Sequence, residues 1–139
     1  MNDEPIIVYG AFSSGWSYLA SRRAALLAAA ALQVDWRIVE AETGYPDPPS
    51  DLRRFETMRG EMEQVVSILL PGERLPYSLA GFLTNTGAAV TAYAQAYDLG
   101  VSSLVRRLLF QAFWVHAIDL DDVQSVRTLM MDTLPELTR

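Results

Sequence analysis

The sequence predicts an α/β fold: one βαβ unit followed by a mostly helical, about four-helix part. Three observations predict it. Ile6-Ile7-Val8-Tyr9 is a short continuous apolar run rich in β-branched residues, the pattern of a buried strand. Val34 to Glu40 alternates apolar with polar residues, the pattern of a half-buried strand. Between and after these runs, apolar residues recur at spacings of three and four, the period of a helix that buries one face.

Taken in order, the first strand covers Ile6 to Tyr9. Ser14 is a good N-cap, with Ser17 three positions on. The first helix is expected from Gly15 to Leu32, with Leu19, Leu26 and Leu27 on its packing face and alanines between them. Val34 to Glu40 follows, and a strand, helix and strand of this length make a right-handed unit with parallel strands. Thr43 to Ser50 breaks regular structure through its proline and glycine. A helix from Asp51 to about Leu70 carries Leu52, Phe55, Met58, Met62, Val65, Val66 and Leu69 at helical spacing and stops at Pro71-Gly72. Thr84 or Asn85 caps the next helix, which Gly100 ends; Ser102 or Ser103 caps a third, with Leu104, Leu108, Phe110, Phe113 and Trp114 inside it. Asp119 caps the last, containing Val123, Val126, Leu129 and Met130. Two parallel strands do not make a stable sheet alone, so the open strand edge has to be covered.

The chain of 139 residues fits a single domain, with the βαβ part over 1–42 and the helical part over 43–139. Half its residues are hydrophobic and a fifth are charged, a globular composition. The charge balance is 11 − 17 = −6. An acidic chain without a basic stripe is a poor nucleic-acid binder, because phosphate neutralisation dominates that affinity. The doublets Arg22-Arg23, Arg53-Arg54 and Arg106-Arg107 are expected on solvated helix faces. Ala24 to Leu32 is too short and too alanine-rich to span a bilayer, and Met1 to Pro5 lacks the pattern of a signal peptide, so a cytoplasmic location and no membrane contact are expected. There is no cysteine, which excludes disulfides and thiolate metal sites.

His116 is the one histidine; it is expected late in a helix, where the helix end gives it a structural role, and no G-x-S-x-G elbow accompanies it. Asp119, Asp121 and Asp122 lack the glycine and distal glutamate of a calcium loop, so helix capping accounts for them better. Met58, Met62, Met130 and Met131 fill gaps on apolar faces.

Tyr9 to Arg23 resembles the DsbA-like branch of the thioredoxin superfamily, in which a strand is followed by Asp-Phe-x-Cys-Pro-x-Ser-Tyr-Leu-Ala and an arginine-bearing helix. Phe12, Ser17, Tyr18, Leu19 and Ala20 match; Ala11 stands for the Asp, Ser14 for the first Cys and Gly15 for the Pro. Val34-Asp35-Trp36-Arg37 is similar to the family's second strand. Asn85-Thr86-Gly87-Ala88-Ala89, Leu109 to Trp114 and Ile118-Asp119-Leu120 are similar to its helical insertion. The resemblance implies a partial thioredoxin-like βαβ with an insertion-type helical subdomain. It also implies that the family's cis-proline loop, two antiparallel strands and last helix have no counterpart up to Arg139, as in a short form, a split product or a truncated piece.

Ser14-Gly15-Trp16-Ser17 stands where the family has C-x-x-C. Disulfide exchange needs a thiolate at a helix N-terminus, so this chain is not expected to be a disulfide oxidoreductase. In the related kappa-class glutathione transferases and 2-hydroxychromene-2-carboxylate isomerases, a serine at this place orients a small thiolate. The resemblance therefore implies Ser14 and Ser17 as catalytic residues, Trp16, Tyr18 and Asn85 as substrate-binding residues, and glutathione or mycothiol as the thiol. No covalently bound cofactor and no metal is expected. The alternative is a non-catalytic module whose open edge is covered by a second copy or by a partner chain. The reading of Ser14 as no more than a helix cap competes with the first, a cap being worth about 1 kcal/mol.

Overall fold

The computed structural model describes residues 5–39, 52–79 and 86–133. Among them the order is β1 (Ile6–Gly10), α1 (Gly15–Ala29), β2 (Val34–Ile38), α2 (Leu52–Ser67), α3 (Gly87–Asp98), α4 (Ser102–Trp114) and α5 (Val123–Thr133). The α/β class and the βαβ opening are therefore as the sequence predicts. The break over Thr43 to Ser50, the Arg53-Arg54 side chains and the caps at Thr84 and Asn85 lie outside the described residues.

β1 and β2 pair in parallel, Ile6 opposite Val34 through Gly10 opposite Ile38. The ladder closes with the Ile6 N–H donating to the Gln33 carbonyl at 2.9 Å and the Val39 N–H to the Gly10 carbonyl at 2.8 Å. Residues 6, 8 and 10 thus turn their backbone groups toward β2, and Ile7 and Tyr9 turn theirs away. Among the described residues no further strand joins this sheet.

α1 ends at Ala29, three residues before the expected Leu32. Ala31 takes φ 64°, and the Leu32 N–H reaches back to the Leu27 carbonyl at 3.0 Å. This is a left-handed helix stop of the kind glycine usually makes; alanine repetition gave no sign of it. Its packing face also differs from the expected one. Tyr18, Leu19, Ser21 and Ala24 are buried, while Leu26 and Leu27 are 68% and 38% exposed. α3 ends as expected, with Gly100 at φ 78° and the Val101 N–H bonded to the Ala96 carbonyl at 3.0 Å.

Two caps differ from expectation. α5 is capped by Asp122 and not Asp119: its carboxylate accepts the Ser125 N–H at 3.1 Å and the Ser125 hydroxyl at 2.6 Å. α4 begins at Ser102 itself, behind Val101, without a side-chain cap. Asp121 caps a different helix, accepting the Gly87 N–H of α3 at 3.2 Å.

One apolar cluster joins the βαβ part to the helices. α4 is its axis, burying Val105, Leu109, Phe110, Phe113 and Trp114. Phe110 meets Phe12 at 4.9 Å between ring centroids and Trp36 edge-on at 6.0 Å. Trp114 stacks on Tyr18 at 5.5 Å and donates its indole N–H to the Phe12 carbonyl at 2.9 Å. These rings fix the turn between β1 and α1 against α4, and so fix where Ser14 sits. Among the described residues no helix is long and apolar enough to cross a membrane.

Candidate functional site at the start of the first helix

The first turn of a helix leaves backbone N–H groups without intrahelical partners, and together with the helix dipole they favour an anion there. In α1 these donors belong to Gly15, Trp16 and Ser17. Ser14 Oγ accepts the Ser17 N–H at 3.2 Å, which is the N-cap bond its position predicts. The first intrahelical bond follows, from the Tyr18 N–H to the Ser14 carbonyl at 3.0 Å.

The other two donors are taken by a residue that sequence reasoning missed. Glu61, on α2, places Oε1 2.6 Å from the Gly15 nitrogen and 3.3 Å from the Trp16 nitrogen. The Ser14 hydroxyl donates to the same oxygen at 3.4 Å. A carboxylate of the chain itself therefore occupies the anion position of the helix end. Gly15 allows this approach: a Cβ there would lie 2.4 Å from Met62 Sδ and 3.2 Å from Glu61 Oε1. Gly15, with no side chain to block the approach, was the available signal, together with Glu61 standing beside the apolar stripe residue Met62.

The remaining expected site residues do not converge on one cleft. Ser17 Oγ accepts the Ala11 N–H at 3.1 Å and so ties down the turn before the helix, although its own N–H goes to Ser14. Trp16 is 42% exposed and borders an apolar cleft of about 330 Å³ with Ile6, Val8, Leu27 and Ile68. Tyr18 is a core residue on the other side of the helix, 2% exposed, with its hydroxyl donating to the Pro76 carbonyl. Burial raises its pKa from the ordinary phenol value, with Arg22 opposing. Asn85 lies outside the described residues. His116 is exposed in the turn after α4, and among the described residues no group of three histidine and acidic side chains is placed to hold a metal.

Of the arginine doublets, Arg106-Arg107 departs from expectation, while Arg22 is exposed as expected. Arg106 is 4% exposed; its Nε donates to Ser21 Oγ at 3.0 Å and its guanidinium lies 5.1 Å from the Trp36 ring centroid. Burial lowers its pKa from the ordinary guanidinium value. A doublet on a helix cannot point both residues the same way, so docking of α4 into the core buries one and leaves Arg107 outside. Arg23 pairs with Glu73 through two bonds of 2.7 and 3.0 Å. Those bonds, with the Leu70 N–H at 3.0 Å, hold the Glu73 carboxyl at about 2, well below its ordinary range.

No family model, no curated protein and no solved structure matches this chain.

Proposed function

We propose that this chain is a cysteine-free, thioredoxin-like module of the DsbA-like kind that acts by association rather than by thiol chemistry, with a second copy of the chain adding its β1 to the open edge of the first. The observation that carries this reading is the outer edge of β1. Its backbone groups at Ile7 and Tyr9 face away from β2, and these residues are 50% and 65% exposed. The strand holds no charge and no proline, the features that usually protect an edge from pairing.

The edge is complementary to itself. In an antiparallel pairing about Val8, Ile7 of one copy faces Tyr9 of the other, and each such pair exchanges both backbone bonds. An aromatic residue opposite a β-branched one is a favourable cross-strand pair. Both copies then contribute one apolar cleft each, beside Ile6 and Val8, to the same face of a continuous sheet. The net charge of −6 works against association at long range, and the uncharged strand keeps that repulsion away from the contact.

The small-thiol reading has less support, because a thiolate beside Ser14 would have to displace Glu61 from the donors it already holds. Light scattering over a dilution series tests both readings together with a glutathione titration. A concentration-dependent dimer that Tyr9→Lys converts to monomer, with unchanged circular dichroism, is the expected result. A wild-type monomer at every concentration overturns the association reading. Saturable glutathione binding that Ser14→Ala weakens would favour the thiol reading instead.

A further inference from the structure

A second cleft, independent of the β1 edge and of Ser14, lies between α1, α4 and the 68–79 loop. It encloses about 320 Å³, the lower end of the range for small-molecule sites. Three arginines from three separate elements border it: Arg22 from α1, Arg74 from the loop and Arg107 from α4. Leu26 and Phe110 supply apolar wall. Ser21 borders it too, with the buried Arg106 bonded to its hydroxyl oxygen from behind.

Charge balance makes this cluster unusual for this chain. Acidic residues outnumber basic ones by 17 to 11, yet among the described residues no carboxylate lies within ion-pair distance of Arg22, Arg74 or Arg107. The one acid bordering the cleft is Glu73, and its oxygens are held by Arg23 and the Leu70 N–H. Three arginine side chains bordering one concave site concentrate positive charge that Glu73, facing Arg22 but bonded to Arg23, offsets only in part. A bound anion relieves their mutual repulsion. Guanidinium is also the side chain best matched to planar oxyanions, which it binds with two parallel bonds.

We propose that this cleft binds a small organic polyanion, a multiply charged carboxylate or phosphate ester whose oxygens meet Arg22, Arg74 and Arg107 and whose carbon skeleton rests on Leu26 and Phe110. The enclosed volume suits a metabolite-sized molecule. The net charge of −6 works against a long polyanion such as nucleic acid, whose affinity needs an extended basic track.

The test is calorimetry on the full chain with pyrophosphate in one arm and citrate in the other, sodium chloride holding ionic strength constant. Saturable binding of at least one probe is expected, and the stronger arm assigns phosphate or carboxylate chemistry. Arg74→Gln and Arg107→Gln should each weaken binding about tenfold, the size of one charge-assisted contact. Both residues are exposed. In the absence of anion the melting temperature of either variant should equal or exceed that of the wild type, since like-charge repulsion is removed. An ordinary structural role would lower it. Failure of both probes to bind saturably overturns the proposal, and so does equal binding by the Arg74→Gln/Arg107→Gln double variant. Neither result bears on the dimer, which is read by scattering.

Discussion

β1 and β2 are both five residues long and lie in full register, yet their surroundings are opposite. Trp36 at the centre of β2 is 2% exposed, while Tyr9 of β1 is 65% exposed. β2 is held from several sides. Tyr93 and Tyr97 of α3 donate to the Trp36 carbonyl and to Asp35 Oδ1, and Phe110 and Arg106 of α4 close over the indole. β1 has β2 on one edge and, among the described residues, no strand on the other. β1 (IIVYG) is the more apolar sequence and β2 (VDWRI) carries two charges, yet β1 is the more exposed. Cover by helices, and not composition, therefore separates the strand that anchors the fold from the one left exposed.

The comparison is broken most severely at Trp36. Trp36→Ala removes the ring that β2 shares with α4 and should cost about 3–5 kcal/mol, read as a fall in the urea midpoint. Gly15→Ala comes next. The added methyl meets Met62 and Glu61 where α2 docks on α1, and overpacking of this kind costs about 1–3 kcal/mol. Loss of equilibrium stability in the same denaturation experiment checks it.

Glu61→Gln keeps the shape of that contact but removes the charge facing the helix dipole, so a smaller loss of about 0.3–1 kcal/mol is expected. The loss should shrink in high salt if part of the contact is solvent-screened. Ala31→Gly should act in the other direction. It relieves the left-handed φ at the end of α1 and should gain up to about 1 kcal/mol, visible as a raised melting temperature. Smallest of all is Tyr9→Lys, which should leave monomer stability within about 0.5 kcal/mol while removing association. A large stability loss from Tyr9→Lys would mean that β1 is not the open strand described here.

The cap on α1 shows how far the sequence could be read. Ser14 as an N-cap was legible because the bond runs over three residues, to the Ser17 N–H. Glu61 was not, because it stands 46 residues from Gly15; its place beside Met62 marks a packing edge of α2 but does not say which helix that edge meets. The resemblance implies a substrate-binding role for Tyr18 from its place in the motif, whereas its burial against Trp114 depends on how α1 is rotated toward α4, which the motif does not specify. The Arg106-Arg107 doublet failed for the same reason: periodicity fixes that the two residues point apart, and only the docking of α4 decides which goes inside.

By itself the sequence determined what depends on neighbours along the chain. That includes the β-α-β opening, the helical period of the remainder, the stop at Gly100, the Ser14 cap and the absence of any sulfur nucleophile. Tertiary structure alone decided that Glu61 closes the helix end, that among the described residues no strand joins the outer edge of β1 and that three arginines from separate elements border one cleft. Each of these is a meeting of groups far apart in sequence. Such meetings are fixed by the packing of whole faces against one another, which local propensity does not encode.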